Sequence, residues 1–163
     1  MFEKFGEFDS SEELNAAAKG FLDGGDSMSI IALAKENGID QDDAEDYVNG
    51  FTAELASVSM AAFGRLYAEE QEVISKKDNF MAARVIFNMV RGQCLREDFC
   101  RAVMRKGRRA MAIFEAMKKE ASNHKSGTVG VSCGTDRELS GIVIAYYLEG
   151  KDAMEKKLKD LYQ

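Results

Sequence analysis

Five carboxylates crowd into seven positions at Asp40, Asp42, Asp43, Glu45 and Asp46, and no Lys or Arg occurs between Lys35 and Arg65. Counted from Asp40 as a calcium loop, the sixth position should be glycine and is Glu45. The twelfth should be glutamate and is Phe51, so an EF-hand is excluded. A dense acidic row can instead imitate the charge of a nucleic-acid backbone and enter a basic protein groove, with Tyr47 as an anchoring ring. The plainer readings are a solvated acidic face, or one neutralised by the chain's own cations.

The opposite charge gathers at Arg101, Arg105, Lys106, Arg108 and Arg109. On one helix, residues 101, 105 and 108 or 109 would share an edge. Such an edge fits phosphate contact, docking on the acidic N-terminal part of the chain, or docking on an acidic partner. No aromatic residue interleaves with the arginines, so base stacking has no platform there.

Catalytic and metal motifs are weak. Gly130-Val-Ser-Cys-Gly134 spells the G-x-S-x-G nucleophile elbow, but that motif needs a parallel sheet and a histidine later in the chain. The single histidine, His124, comes earlier. Cys94, Cys100 and Cys133 lack C-x-x-C spacing, so no metal site is expected, and reduced, buried thiols are the simplest reading. Ala34, Gly38 and Ala44 sit where a helix-turn-helix wants them, yet the second helix would be strongly acidic and repel phosphate. No enzyme, cofactor or metal is expected.

The elements that must position these groups are helical. The chain has 163 residues, 45% of them hydrophobic and 31% charged, and no proline. Average usage would supply about eight prolines, so their absence favours long helices over a turn-rich sheet fold. Ser10 with Glu13 forms a capping-box pattern opening a helix to about Leu22, ended by Gly24-Gly25. Asp26 or Ser27 opens a second helix that ends at Gly38, and Asp40 caps a third, Gln41 to Val48, closed by Gly50. Longer helices are expected over 53–74, 80–94 and 97–122, the last bent at Gly107. Residues 76–79 read as a turn, 123–127 as a loop, and 128–133 as the one short β segment. Thr135 with Glu138 is a second capping box, opening a helix to Glu149, and an amphipathic helix runs from Asp152 to Tyr162.

The predicted architecture is therefore all-α, a multi-helix bundle with an acidic short-helix unit at 1–50 and a basic bundle at 51–163, or one continuous domain. The net charge of −6 hides this split. Residues 1–72 carry seventeen acids against four bases, a balance of −13, and residues 73–163 carry eleven acids against eighteen bases, a balance of +7. Halves of opposite sign suggest electrostatic partners, or halves that attract each other within or between chains. No apolar run approaches the ~20 residues of a membrane span, and the first residues lack a signal-peptide layout, so a cytoplasmic protein is expected.

Several segments resemble a known family. Phe2-Glu-Lys-Phe-Gly-Glu-Phe-Asp-Ser10, Ala32-Leu-Ala-Lys-Glu-Asn-Gly-Ile-Asp40, Ala44-Glu-Asp-Tyr-Val-Asn-Gly50, Arg101-Ala-Val-Met-Arg-Lys-Gly107 and Ala145-Tyr-Tyr-Leu-Glu-Gly150 carry the likeness. They are similar to small proteins from mobile elements and phages of gut Firmicutes, grouped with PcfK-like proteins and type II anti-CRISPR proteins that inhibit Cas9. The likeness spans most of the chain and is strongest over the first fifty residues. It departs where the family's middle carries proline and tryptophan, and where Arg108-Arg109-Ala110 follows Gly107 in place of Lys-Ser. The resemblance implies a non-enzymatic inhibitor that binds a CRISPR effector nuclease or its guide complex. The alternative is an accessory nucleic-acid-binding module of a conjugative element, acting through residues 101–109. A third reading is a helical scaffold that forms homodimers through its opposite-sign faces.

Overall fold

Polar side chains with local acceptors start most of the helices. In the computed structural model, which describes residues 1–76, 80–124 and 134–161, Ser10 accepts from the Glu13 N–H, Asp26 from Ser29, Asp40 from Asp42 and Ser57 from Met60. Each bond satisfies an orphan donor of the first turn, worth about 1 kcal/mol. Glu13 reaches back to the Asp9 N–H, one residue before the expected partner. At Thr135 both halves of the capping box close.

The resulting helices are α1 (Ser11–Asp23), α2 (Ser27–Glu36), α3 (Gln41–Val48), α4 (Val58–Ser75), α5 (Phe80–Gln93), α6 (Glu97–Met104), α7 (Ala110–Asn123), α8 (Asp136–Ile144) and α9 (Lys151–Asp160). The described residues contain no strand, and the fold is all-α. All but Lys76 of the expected turn at 76–79, the β segment at 128–133 and most of the G-x-S-x-G stretch lie outside the described residues.

α2 packs on α1 and α3, while α4 packs on α1, α5 and α6; α5 also meets α7 and α8, and α9 closes against α7 and α8. One buried cluster runs through both halves of the chain, from Phe8, Leu14 and Leu33 through Leu66, Phe87 and Phe99 to Ile142, Tyr147 and Leu158. Phe99 and Tyr147 meet edge to face at 5.2 Å within it, a favoured aromatic geometry. The acidic and basic parts therefore share a core.

Gly64, a poor residue for mid-helix, has a packing reason. A Cβ there would lie 2.4 Å from the Asn37 carbonyl oxygen, and one on Gly38 would lie 2.2 Å from the Gly64 carbonyl oxygen. The α2–α3 turn thus rests directly on the α4 backbone, with Gly38 in the left-handed region at φ 68°.

Two expectations need correction. The stretch 97–122 is two helices rather than one bent helix. Arg105 adopts extended backbone (φ −60°, ψ 134°), Gly107 turns left-handed (φ 74°), and α7 starts afresh at Ala110. The helix from Thr135 also stops being α at Ile144. Residues Ala145–Glu149 form a π-helical turn, with the Gly150 N–H reaching the Ala145 carbonyl at 2.8 Å. This wider turn buries Tyr146 and Tyr147 together.

Candidate partner-binding surfaces

The fourth helix supplies the groups that hold the basic segment. Arg65 and Glu69 lie one turn apart on α4, both almost fully buried. Arg65 donates to the carbonyls of Met104 (2.6 Å) and Arg105 (3.2 Å) at the end of α6, to the Phe8 carbonyl, and to Glu7 Oε1 (3.0 Å). Glu69 accepts the N–H groups of Ala110 (3.1 Å) and Met111 (2.9 Å) at the start of α7. A cation thus caps the negative end of one helix and an anion the positive end of the next. Burial pulls the Arg65 guanidinium down to about 10 and pushes the Glu69 carboxyl up, because each charge has left water.

Beyond this cap, the N-terminal carboxylates reach the basic segment from the other side. Glu7 bridges two guanidiniums, with Oε2 on Arg109 Nη2 at 2.9 Å, and its Oε1 also accepts the Gly107 N–H at 3.1 Å. Asp9 accepts the Lys106 N–H at 2.8 Å. Lys106 Nζ pairs with Glu13 at 3.2 Å, and Arg101 pairs with Glu12 and Glu97. Arg108 turns inward, donating to the Tyr146 carbonyl at 2.8 Å with its guanidinium over the Tyr146 ring. The Phe2 ring takes Arg65 and Arg109 at 5.4 and 5.2 Å. Of the five cations named from the sequence, only Arg105 is exposed with no acceptor for its side chain among the described residues.

The continuous basic edge expected for residues 101–109 does not form. It required one uninterrupted helix, and residues 105–109 lie in the break. Four of the five side chains answer to partners within the chain.

The acids of α3 are placed differently. Asp42, Glu45 and Asp46 are exposed on the face opposite the buried Ala44 and Tyr47, while Asp43, four residues before Tyr47, is half-buried at its edge. Asp40 is exposed and caps the helix through Oδ1. Glu45 accepts from the Gln41 side chain at 2.7 Å, and among the described residues no ion pair reaches any of the five. Asp42 and Asp43 occupy the first turn, where the helix dipole favours them.

Tyr47 is not an available anchor: its ring is 4% exposed and belongs to the core. The exposed ring beside these acids is Phe51, at 78%. Its N–H bonds the Asp46 carbonyl at 2.8 Å while Gly50 turns left-handed at φ 78°, a helix-ending turn that fixes the residue just past α3. A hydrophobic side chain at that position usually folds back onto its helix; Phe51 does not.

Nucleophile chemistry gains no support from the two described thiols, Cys133 lying outside the described residues. Cys94 and Cys100 are buried, and Cys100 Sγ donates to the Cys94 carbonyl. Burial pushes the Cys94 thiol up to about 12 and raises Cys100 as well, so little thiolate forms near neutral pH. His124 ends α7 and meets Glu120 at 3.1 Å. Among the described residues no group of three or more His, Cys, Asp or Glu side chains could hold a metal ion, and no helix is long and apolar enough to cross a membrane. No family model, curated protein or solved structure matches the chain.

Proposed function

We propose that the protein is a non-enzymatic inhibitor from a mobile element or phage that binds a CRISPR effector nuclease, in the cytoplasm of the bacterial host. Its acidic face at Asp40, Asp42, Asp43, Glu45 and Asp46 occupies the positively charged channel in which such nucleases hold nucleic acid. One observation carries this reading. The N-terminal acids Glu7, Glu12 and Glu13 are paired within the chain, whereas the α3 acids, Asp43 half-buried and the others exposed, meet no cation among the described residues. Like charges this close repel one another; the cap and the helix dipole offset this at Asp40, Asp42 and Asp43, whereas Glu45 and Asp46 would gain only from a basic surface that meets them. Phe51 adds an exposed apolar group beside the charge, the combination that hot spots of protein interfaces use. The family resemblance supplies the class of partner.

Cleavage of a target duplex by a guide-loaded Cas9-like nuclease, with and without the protein, tests the reading. Dose-dependent loss of cleavage supports it. Full cleavage at saturating protein, across effectors from gut Firmicutes, rejects it.

A further inference from the structure

The turn between α6 and α7 has the construction of an anion site that the chain fills with its own carboxylates. Two successive backbone N–H groups, Lys106 and Gly107, each donate to a carboxylate oxygen, Asp9 Oδ1 and Glu7 Oε1. The left-handed backbone of Gly107 is part of the same turn, and consecutive N–H groups aimed at one concavity are a recurrent anion-binding arrangement. Arg109 adds a guanidinium to Glu7, and Arg101 and Lys106 Nζ continue the track outward to Glu12 and Glu13. Between them Arg105 is exposed, its side chain unpaired among the described residues.

The track has a fixed inner end and an exchangeable outer end. Glu7 sits against the buried Arg65, so removing it would strand a charge in the core. The outer pairs are half exposed on both sides, at 47% and 59% for Arg101 with Glu12 and 50% and 45% for Lys106 with Glu13. Exposed pairs of this kind are worth about 0–1 kcal/mol. A chain of phosphates offers more than single carboxylates do, because each neutralised phosphate releases condensed counterions.

We propose that Arg101, Arg105 and Lys106, with the Lys106 N–H, form a masked binding site for the phosphate backbone of nucleic acid, and that Asp9, Glu12 and Glu13 are its intramolecular mask. The masked form binds nucleic acid weakly; neutralising the mask releases Lys106 and the Glu12 side of Arg101, which keeps Glu97, beside the already exposed Arg105, without opening the core. With no aromatic residue in the segment to stack on bases, recognition is independent of sequence. This inference does not depend on the α3 acids or on a nuclease partner.

The test measures binding of the full chain to a short fluorescent DNA, single-stranded in one arm and duplex in another, at low salt. Asp9→Asn with Glu12→Gln and Glu13→Gln keeps an acceptor oxygen at each position while removing the charge. It should bind about tenfold more tightly than the unaltered protein, with a salt slope near −3 on duplex, about one per cation of the site. Adding Arg101→Glu, Arg105→Glu and Lys106→Glu to that variant should abolish the gain. Asp42→Asn with Asp43→Asn and Asp46→Asn, an equal change of net charge away from any cation, should leave DNA binding within about twofold. If the triple variant melts non-cooperatively, Glu12→Gln with Glu13→Gln alone should tighten binding about threefold. The proposal is overturned if the folded mask variants bind no better than the unaltered protein. A gain that survives the charge reversals overturns it too, as does binding of polyglutamate in place of DNA, which would make the site one for acidic peptides.

Discussion

Arg65 and Glu69, one turn apart on α4, cap the two facing helix ends of the α6–α7 break: the arginine takes the carbonyls of Met104 and Arg105, and the glutamate takes the N–H groups of Ala110 and Met111. The break is thereby clamped from within the core, and its turn is held where Glu7 and Asp9 meet it. Arg65→Met should cost about 3–5 kcal/mol, because it leaves Glu7 and several carbonyls without their buried donor. Glu69→Gln offers one acceptor oxygen to two N–H groups and should cost about 1–3 kcal/mol. Urea unfolding followed by circular dichroism reads both values.

The same clamp and its outer pairs set opposite pH dependences. Hydrogen bonds from Arg101 hold the Glu12 carboxyl down at about 2, against an ordinary 4.5. Stability from that group is therefore fully present above pH 4.5 and is lost as pH falls toward 2. Burial raises the Glu69 carboxyl, so the folded protein holds that proton more tightly than the unfolded chain. Its contribution is greatest at low pH and declines as pH rises from 4.5 through the folded value. In melting curves across pH, Glu12→Gln should flatten the acid limb. Glu69→Gln should remove a decline on the neutral side.

Gly64→Ala tests the close approach of the α2–α3 turn to α4. Helix propensity alone favours alanine by about 1 kcal/mol. The added methyl would lie 2.4 Å from the backbone oxygen of Asn37, which cannot swing aside as a side chain would. A net destabilisation of about 2 kcal/mol is expected by denaturant titration, with a gain in stability as the contrary result.

Cys94 and Cys100 should resist alkylation in the native protein at pH 8, since burial raises both thiols. Mass spectrometry after iodoacetamide treatment should find them modified only once denaturant is added.

The parts of this fold readable in the sequence are the local ones. Ser10, Asp40 and Thr135 cap helices through side chains three or fewer residues from the N–H they satisfy, so their letters carry the signal. The break at 105–109 carries no such signal. Its stabilising partners, Arg65 and Glu69, lie about forty residues away, and a basic run free of proline looks like continuing helix. The cationic edge drawn on that helix dissolved with it. Tyr47 illustrates a second limit. A tyrosine among acids reads as exposed, but Ala44 and Tyr47 are three apart and share the buried side of α3. The exposure of Phe51 is not written in the letters, because a hydrophobic residue two past a helix cap usually packs back onto its helix.

The central claim is that the α3 acids occupy a basic nucleic-acid channel of an effector nuclease, and competition on that channel tests it most directly. A fluorescent guide or target strand bound to the effector is titrated with the protein and with its Asp42→Lys, Asp43→Lys, Asp46→Lys variant, with folding of both verified by melting. Displacement by the unaltered protein should weaken as salt rises, and the variant should lose at least about a hundredfold as three attractive charges become repulsive. Displacement by the folded variant at the same concentrations would contradict it.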